Sequence, residues 1–218
     1  MTWRVYFFTF GAYARWLHGS SKGSYSHNKG RMGSKPGLEA AMASSLTSEP
    51  YEFTLSQRVW LHDAIYRYCI KKGLIVDALN VRLSHIHIVI STQRNLTREE
   101  IIHDLKGAIA RLLHEEGILP IEQRVWERRY TCSRLTYYKS WYNRVHYTLF
   151  GQGSNYYLRG TRFARYYKIP FIDGEPDAKA LRDASASAKV NAIRYNTLKH
   201  GDVIDPIEEF DDDYDVEA

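Results

Sequence analysis

The sequence predicts an α+β fold in which helices pack against an antiparallel sheet. Several short runs are rich in β-formers, and two long amphipathic stretches with polar residues at their starts lie between them. The order along the chain is β-α-β-β-α-β-α. That order is typical of a ferredoxin-like sandwich, here predicted with its helices on one face of the sheet.

The first half of the chain supplies the first three strands and one helix. "TWRVYFFTFG" (2–11) is the first strand, and the Gly-, Ser- and Lys-rich residues 12–37 form a long loop. Apolar residues at helical spacing over 54–72 predict a helix capped by Thr or Ser. Residues 73–92 then give two strands, which we expect to form a hairpin turned near Asn80.

The second half begins with the clearest helix in the sequence. It has Thr97 as its cap and Gly117 as its stop signal. Residues 124–135 fit another strand, residues 136–150 a tyrosine-rich helix, and residues 177–201 a further helix.

The 218 residues divide by composition into three predicted parts. They are a folded domain over 1–153, a basic and aromatic extension over 154–200, and an acidic tail over 201–218, which we expect to be disordered. The tail contains nine acidic residues and no Lys or Arg. All 30 basic residues and the other 16 acidic residues lie in 1–200, a net charge of +14. So large a positive charge over residues 1–200 is typical of a protein that binds a polyanion.

Several functions are disfavoured by the sequence. No apolar run is long enough to span a bilayer, and the first residues lack a signal-peptide pattern. Two distant cysteines, Cys69 and Cys132, predict reduced thiols in the cytoplasm. The phosphate-binding loop of nucleotide hydrolases does not occur in the sequence.

Two histidines interrupt the apolar strand "LSHIHIVIS" (83–91). Because alternate residues of a strand share a face, His85 and His87 point the same way. They form either a solvated pair on a half-buried strand or two ligands of a metal site.

Tyrosines are abundant, with 17 in the chain, and cluster with basic residues. "YYLRGTRFARYYK" (156–168) combines aromatic faces for base stacking with Arg159, Arg162 and Arg165 for phosphates, as in proteins that bind single-stranded nucleic acid. The same pattern also fits tyrosines packed on a core beside solvated arginines. A tyrosine can also act as a nucleophile when a cation neutralises the phosphate under attack.

The order of these motifs resembles that of a known group of enzymes. The H-x-H strand precedes a helix containing Lys106 and Gly107, then "VWERRY" (125–130) and the tyrosine element "HYTLFGQG" (146–153). This arrangement is similar to that of the HUH endonuclease superfamily. Within it the chain resembles the single-tyrosine transposases of the insertion sequence 200 type and the REP-associated tyrosine transposases.

The resemblance implies an RRM-like HUH nuclease core and a specific chemistry. His85 and His87 would hold Mg²⁺ or Mn²⁺ against a phosphate of single-stranded DNA, which could form a hairpin. A tyrosine would attack that phosphate and form a 5′-phosphotyrosine. The resemblance further implies a DNA-associated homodimer in a bacterial or archaeal cytoplasm, with no membrane partner.

The sequence departs from the family pattern at the third metal ligand. Gly151 stands four residues after Tyr147, where the family has a side-chain ligand, and Gln152 follows it. We expect Tyr147 as nucleophile with Gln152 as ligand. The rival assignment is the regular i, i+4 pair of Tyr142 and His146.

Lys106 and the three arginines of the extension are the predicted DNA contacts, although an exposed lysine on a helix needs no such role. Two other functions remain open at this point. One is a nucleic-acid-binding protein that kept the fold and lost the chemistry. The other is a replication-initiator or relaxase-type HUH nuclease, which Tyr6, embedded in a predicted strand, fits poorly.

Overall fold

A computed structural model describes residues 3–15, 17–21, 23–26, 30–152, 164, 168–172 and 175–187 of the chain. Its strands are β1 (Arg4–Ala12), β2 (Ser24–Ser26), β3 (Gly30–Met32), β4 (Ile75–Val81), β5 (His85–Thr92), β6 (Trp126–Leu135), β7 (Phe171–Ile172) and β8 (Glu175–Pro176). Its helices are α1 (Pro36–Ser44), α2 (Leu55–Lys71), α3 (Arg98–Glu115) and α4 (Tyr138–Phe150). Residues 178–187 are also helical.

The central sheet has four strands in the order β4-β5-β1-β6, with every neighbouring pair antiparallel. The connections through α2 and α3 each pass over one strand, which is the ferredoxin-like pattern. The predicted fold class is therefore confirmed.

The two long helices begin where their polar caps predict. Thr54 and Thr97 each accept a hydrogen bond from the backbone N–H three residues on, and the side chains of Gln57 and Glu100 accept one from the backbone N–H of the cap residue. Gly117, just beyond α3, has φ +66°, a conformation that glycine adopts without steric cost.

The sheet is covered on both faces, so the prediction that all helices lie on one face was wrong. α2 and α3 pack on the face that carries Phe8, Phe10 and Ile88. On the other face, α4 packs Val145 and Leu149 against the sheet. Only Thr136 and Tyr137 separate β6 from α4, and this short connection turns the chain onto the second face.

The predicted hairpin turns later than expected. The turn lies at residues 82–84, and Asn80 is fully buried inside β4. Its side-chain N–H donates to the carbonyl of Thr148 at 2.8 Å. Asn80 therefore connects the sheet to α4 and does not form the turn.

Part of the predicted loop over 12–37 has regular structure. β2 and β3 pair within it, and α1 begins at Pro36, which can occupy the first turn of a helix. None of the residues of α1 is buried, so hydrophobic periodicity could not have predicted this helix.

The predicted extension contributes to the core through the few residues that the structure describes there. Ala164, Ile169 and Ala184 join Phe7 and Leu149 in the cluster under α4. Of the predicted helix over 177–201, residues 178–187 are helical and the rest lie outside the described residues. The acidic tail lies wholly outside them.

Candidate active site

The two histidines of β5 lie on the sheet face that α4 covers. In the register with β1, His85 is opposite Gly11 and His87 is opposite Thr9. The ring centroids of the two imidazoles are 4.7 Å apart, and the rings meet nearly edge to face. The predicted common orientation of the pair is thus present in the structure.

Each imidazole has a hydroxyl group at its Nδ1 atom. Thr9 Oγ1 lies 2.7 Å from Nδ1 of His87, and Ser84 Oγ lies 3.0 Å from Nδ1 of His85. Nε2 of His87 is buried and has no hydrogen-bond partner among the residues that the structure describes. Hydroxyl contacts at Nδ1 orient an imidazole so that its Nε2 lone pair is available to a cation.

The environment keeps the pair uncharged at neutral pH. Burial lowers the pKa of His85, and the charge of Arg82 adds to this effect. Burial and the neighbouring His85 lower the pKa of His87 to about 4. The Gln152 amide acts in the opposite direction on both rings. Neutral imidazoles are the form that binds a metal.

Tyr147 of α4 lies beside this pair. Its ring centroid is 5.4 Å from that of His87, and the residue is 38% exposed. The Phe7 ring stacks on His87 at 5.7 Å and meets the edge of Tyr147 at 6.2 Å. The structure therefore brings together one predicted nucleophile and the predicted histidines.

Two buried polar contacts attach α4 to the sheet and so position Tyr147. Near its start, Trp141 Nε1 donates to the carboxylate of Asp77 at 3.0 Å, and Ser91 donates to the same oxygen. Near its end, Asn80 donates to the Thr148 carbonyl. Sequence reasoning missed Asp77, although an aspartate is uncommon within a strand and could have indicated a special role.

Gly151 ends α4, and a side chain at this position would crowd Tyr147. A Cβ atom at this position would lie 3.0 Å from the Tyr147 carbonyl oxygen and 3.2 Å from its ring. Gln152 follows as the next residue, close enough to affect the pKa of both histidines. Although Gly151 stands where the family has a side-chain ligand, the amide of Gln152 is therefore still near His85 and His87.

The rival residues lie on another part of α4. Tyr142 and Tyr147 are five positions apart, about 140° around a regular helix. The Tyr142 ring packs against His146 at 5.8 Å, and Nε2 of His146 lies 3.3 Å from the Ser185 hydroxyl. These contacts orient the rival pair toward the helical segment 178–187.

Lys106, a predicted DNA contact, is almost fully buried on the opposite face of the sheet. Its ammonium group donates to the Glu127 carbonyl at 2.6 Å, and burial lowers its pKa. In this structure the ammonium group therefore joins α3 to β6 and does not face solvent. The other predicted DNA contacts, Arg159, Arg162 and Arg165, lie outside the described residues.

The donor set fits a divalent cation that accepts both nitrogen and oxygen ligands. Among the described residues, no group of three or more His, Cys, Asp or Glu side chains could hold a metal. The candidate set of His85, His87 and Gln152 would instead supply two imidazole nitrogens and an amide oxygen. The buried, unpartnered Nε2 of His87 is the observation that favours this fit.

The match to known families covers the centre of the chain. Residues 52–140 match the family of IS200-like transposases. The matched range includes both histidines and ends in the first turn of α4, so Tyr147 and Gln152 lie beyond it. The resemblance to insertion-sequence transposases is confirmed over this range.

Two solved structures are also similar to the chain. One is a protein from Deinococcus radiodurans R1 described as a transposase, with 14% identity, a TM-score of 0.41, and coverage of 64% of this chain and 84% of its own. The other is a REP-associated tyrosine transposase bound to a REP hairpin, with 12% identity and a TM-score of 0.38. The match covers 66% of this chain and 64% of that protein's chain. No curated protein matches the sequence. None of the helices that the structure describes has the length and hydropathy needed to cross a membrane.

Proposed function

We propose that this protein nicks and rejoins single-stranded DNA in a metal-dependent reaction with Tyr147 as the nucleophile. The observation that carries the proposal is the placement of the Tyr147 ring 5.4 Å from His87, whose buried Nε2 has no partner among the described residues. The transposase family match supports the general class of reaction. Single-stranded DNA, in hairpin form, is the proposed substrate.

His85, His87 and Gln152 would hold Mg²⁺ or Mn²⁺. Such a cation, when bound, neutralises negative charge on the phosphate and makes it easier to attack. The hydroxyl groups of Thr9 and Ser84 orient the two imidazoles for this task.

The reaction itself is a transesterification at phosphorus. The Tyr147 oxygen forms a bond to the phosphorus atom as the bond from phosphorus to the 3′ oxygen breaks. The phenol loses its proton to solvent, and the departing 3′ oxygen takes one up. The products are a 5′-phosphotyrosine and a free 3′-OH, and attack by a 3′-OH on the phosphotyrosine reverses the step.

A covalent-adduct assay tests this function. The protein is incubated with Mn²⁺ and a labelled library of single-stranded hairpins whose flanking sequences are randomised, and adducts are separated on a denaturing gel. We expect an adduct with the native protein and with Tyr142→Phe, and none with Tyr147→Phe. Loss of the adduct in Tyr142→Phe alone would instead identify Tyr142 as the nucleophile, with His146 as the third metal ligand.

Absence of an adduct from the whole library would contradict the enzyme proposal. The chain would then be a nucleic-acid-binding protein that retains the fold. The position of Gly151 at the expected ligand site is the feature that favours this second candidate.

The proposal also includes the organisation of the chain. A catalytic unit over 1–153 would be followed by the DNA-binding extension and the acidic tail, and two copies would form the active homodimer. Light scattering of the full chain tests the dimer, and a mass of about 25.4 kDa in solution would contradict it.

A further inference from the structure

Arg144 lies on the same face of α4 as Tyr147. The two residues are three positions apart, so their side chains project from neighbouring positions about 60° apart around the helix. Both are exposed, although α4 buries Val145 and Leu149 against the sheet. The side chain of Arg144 is therefore accessible to a ligand that reaches Tyr147.

The Phe7 ring fixes where the guanidinium group lies. Cζ of Arg144 is 4.9 Å from the centroid of Phe7, a cation–π contact. The same ring stacks on His87 and meets the edge of Tyr147. Imidazole, phenol and guanidinium thus surround one aromatic ring of β1. None of the motifs in the sequence had indicated Arg144.

Arg144 lies close to the histidine pair. Its guanidinium and the His87 imidazole both contact the Phe7 ring, with Cζ of Arg144 4.9 Å and the imidazole centroid 5.7 Å from the centroid of that ring. A phosphodiester beside Tyr147 carries one negative charge and gains more as the phenolate oxygen attacks.

We propose that Arg144 is a catalytic residue that binds a non-bridging oxygen of the phosphate attacked by Tyr147. Its forked N–H groups would stabilise the charge that develops on that phosphate, as planar guanidinium groups do at phosphates elsewhere. This inference rests on the proposed function, since it assigns a role in the same reaction.

The test compares the rates of adduct formation at saturating DNA in the assay above. We expect Arg144→Gln to lower the rate by roughly 100-fold, as for loss of one donor to a developing oxyanion, and Arg144→Lys to retain an intermediate rate. Arg111→Gln is the matched control, because Arg111 is an exposed arginine of α3 on the opposite face. Its rate should equal that of the native protein.

A DNA substrate with a methylphosphonate at the cleaved position separates direct contact from a structural role. This linkage has no negative charge, so Arg144 has less charge to stabilise. The ratio of native to Arg144→Gln rates should fall about 10-fold or more on this substrate. An unchanged ratio would show that Arg144 only supports the structure and would overturn the inference.

The outcomes also separate this inference from the proposed function. If the native protein forms the adduct and Arg144→Gln reacts equally fast, the catalytic role of Arg144 is wrong and the proposed function stands. If the native protein forms no adduct with any hairpin, the proposed function fails and the role of Arg144 fails with it.

Discussion

The indole N–H of Trp141 donates a hydrogen bond to the buried carboxylate of Asp77 across 3.0 Å. This contact joins the first half of α4 to β4, and the Asn80 side chain joins the second half through Thr148. Tyr147 therefore sits on a helix whose position is set by two polar residues of a single strand. Both of those residues are fully buried.

Trp141→Phe should destabilise the protein and slow adduct formation. It removes one donor from a buried carboxylate, which costs about 1–3 kcal/mol of the free energy of unfolding. Chemical denaturation measures that cost. The control is Trp60→Phe, because the indole of Trp60 donates to Glu116 at an exposed site. That loss should be below about 1 kcal/mol, and equal losses in the two variants would contradict the prediction.

Gly151→Ala should displace Tyr147. The added methyl group would lie 3.0–3.2 Å from three atoms of Tyr147, two of them backbone atoms, so the end of α4 must shift. We expect the rate of adduct formation to fall about 10-fold or more, since small misplacements of reacting groups are costly. Gly107→Ala is the matched control, because a Cβ atom there meets nothing within 4 Å and alanine favours a helix. That variant should keep the native rate, and equal rates in the two variants would count against the crowding of Tyr147.

Thr9→Val should weaken metal binding. The valine has the shape of threonine but has no oxygen to accept from Nδ1 of His87, so the imidazole is no longer held in one tautomer. Loss of such a contact typically reduces metal affinity about 10- to 100-fold. Calorimetric titration with Mn²⁺ measures the change. Thr131→Val removes the neighbouring hydroxyl on β6, opposite Thr9, and should leave the affinity unchanged.

The stability of the metal-free protein should depend on pH through His87. Its pKa in the folded protein is about 4, below the ordinary value of 6.5. Between these pH values the unfolded chain binds more protons than the folded protein, so the free energy of unfolding increases as the pH rises. The contribution of neutral His87 to that free energy is lost as the pH falls from 6.5 to 4. One such group contributes a slope of at most about 1.4 kcal/mol per pH unit.

His87→Gln removes that contribution. Urea denaturation at a series of pH values should give a flatter profile for the variant between pH 4 and 6.5. A profile parallel to that of the native protein would mean that His87 is not buried in its neutral form.

Sequence patterns predicted the features that depend on local periodicity. Alternation placed His85 and His87 on one face, and the polar caps located α2 and α3, because strands and capped helices follow short-range rules. Patterns could not predict which face α4 covers, since an amphipathic helix packs equally well on either side of a sheet. That choice depends on the short connection after β6.

Polar residues inside the fold are difficult to place from the sequence alone. Asn80 was predicted to lie near a turn and is buried, and the Lys106 side chain is buried although lysine usually lies at the surface. Each instead has a backbone carbonyl partner in the interior. Such partners come from distant parts of the chain, and a single sequence does not reveal them.

The histidines and the tyrosine are carried by different parts of the molecule. His85 and His87 belong to a strand with neighbours on both sides, whereas Tyr147 belongs to a helix that lies on top of the sheet. Substitutions at the α4 contacts should therefore displace Tyr147 and Gln152 while His85 and His87 stay in place, so the proposed strand cleavage would be lost although both imidazoles remain available to a cation.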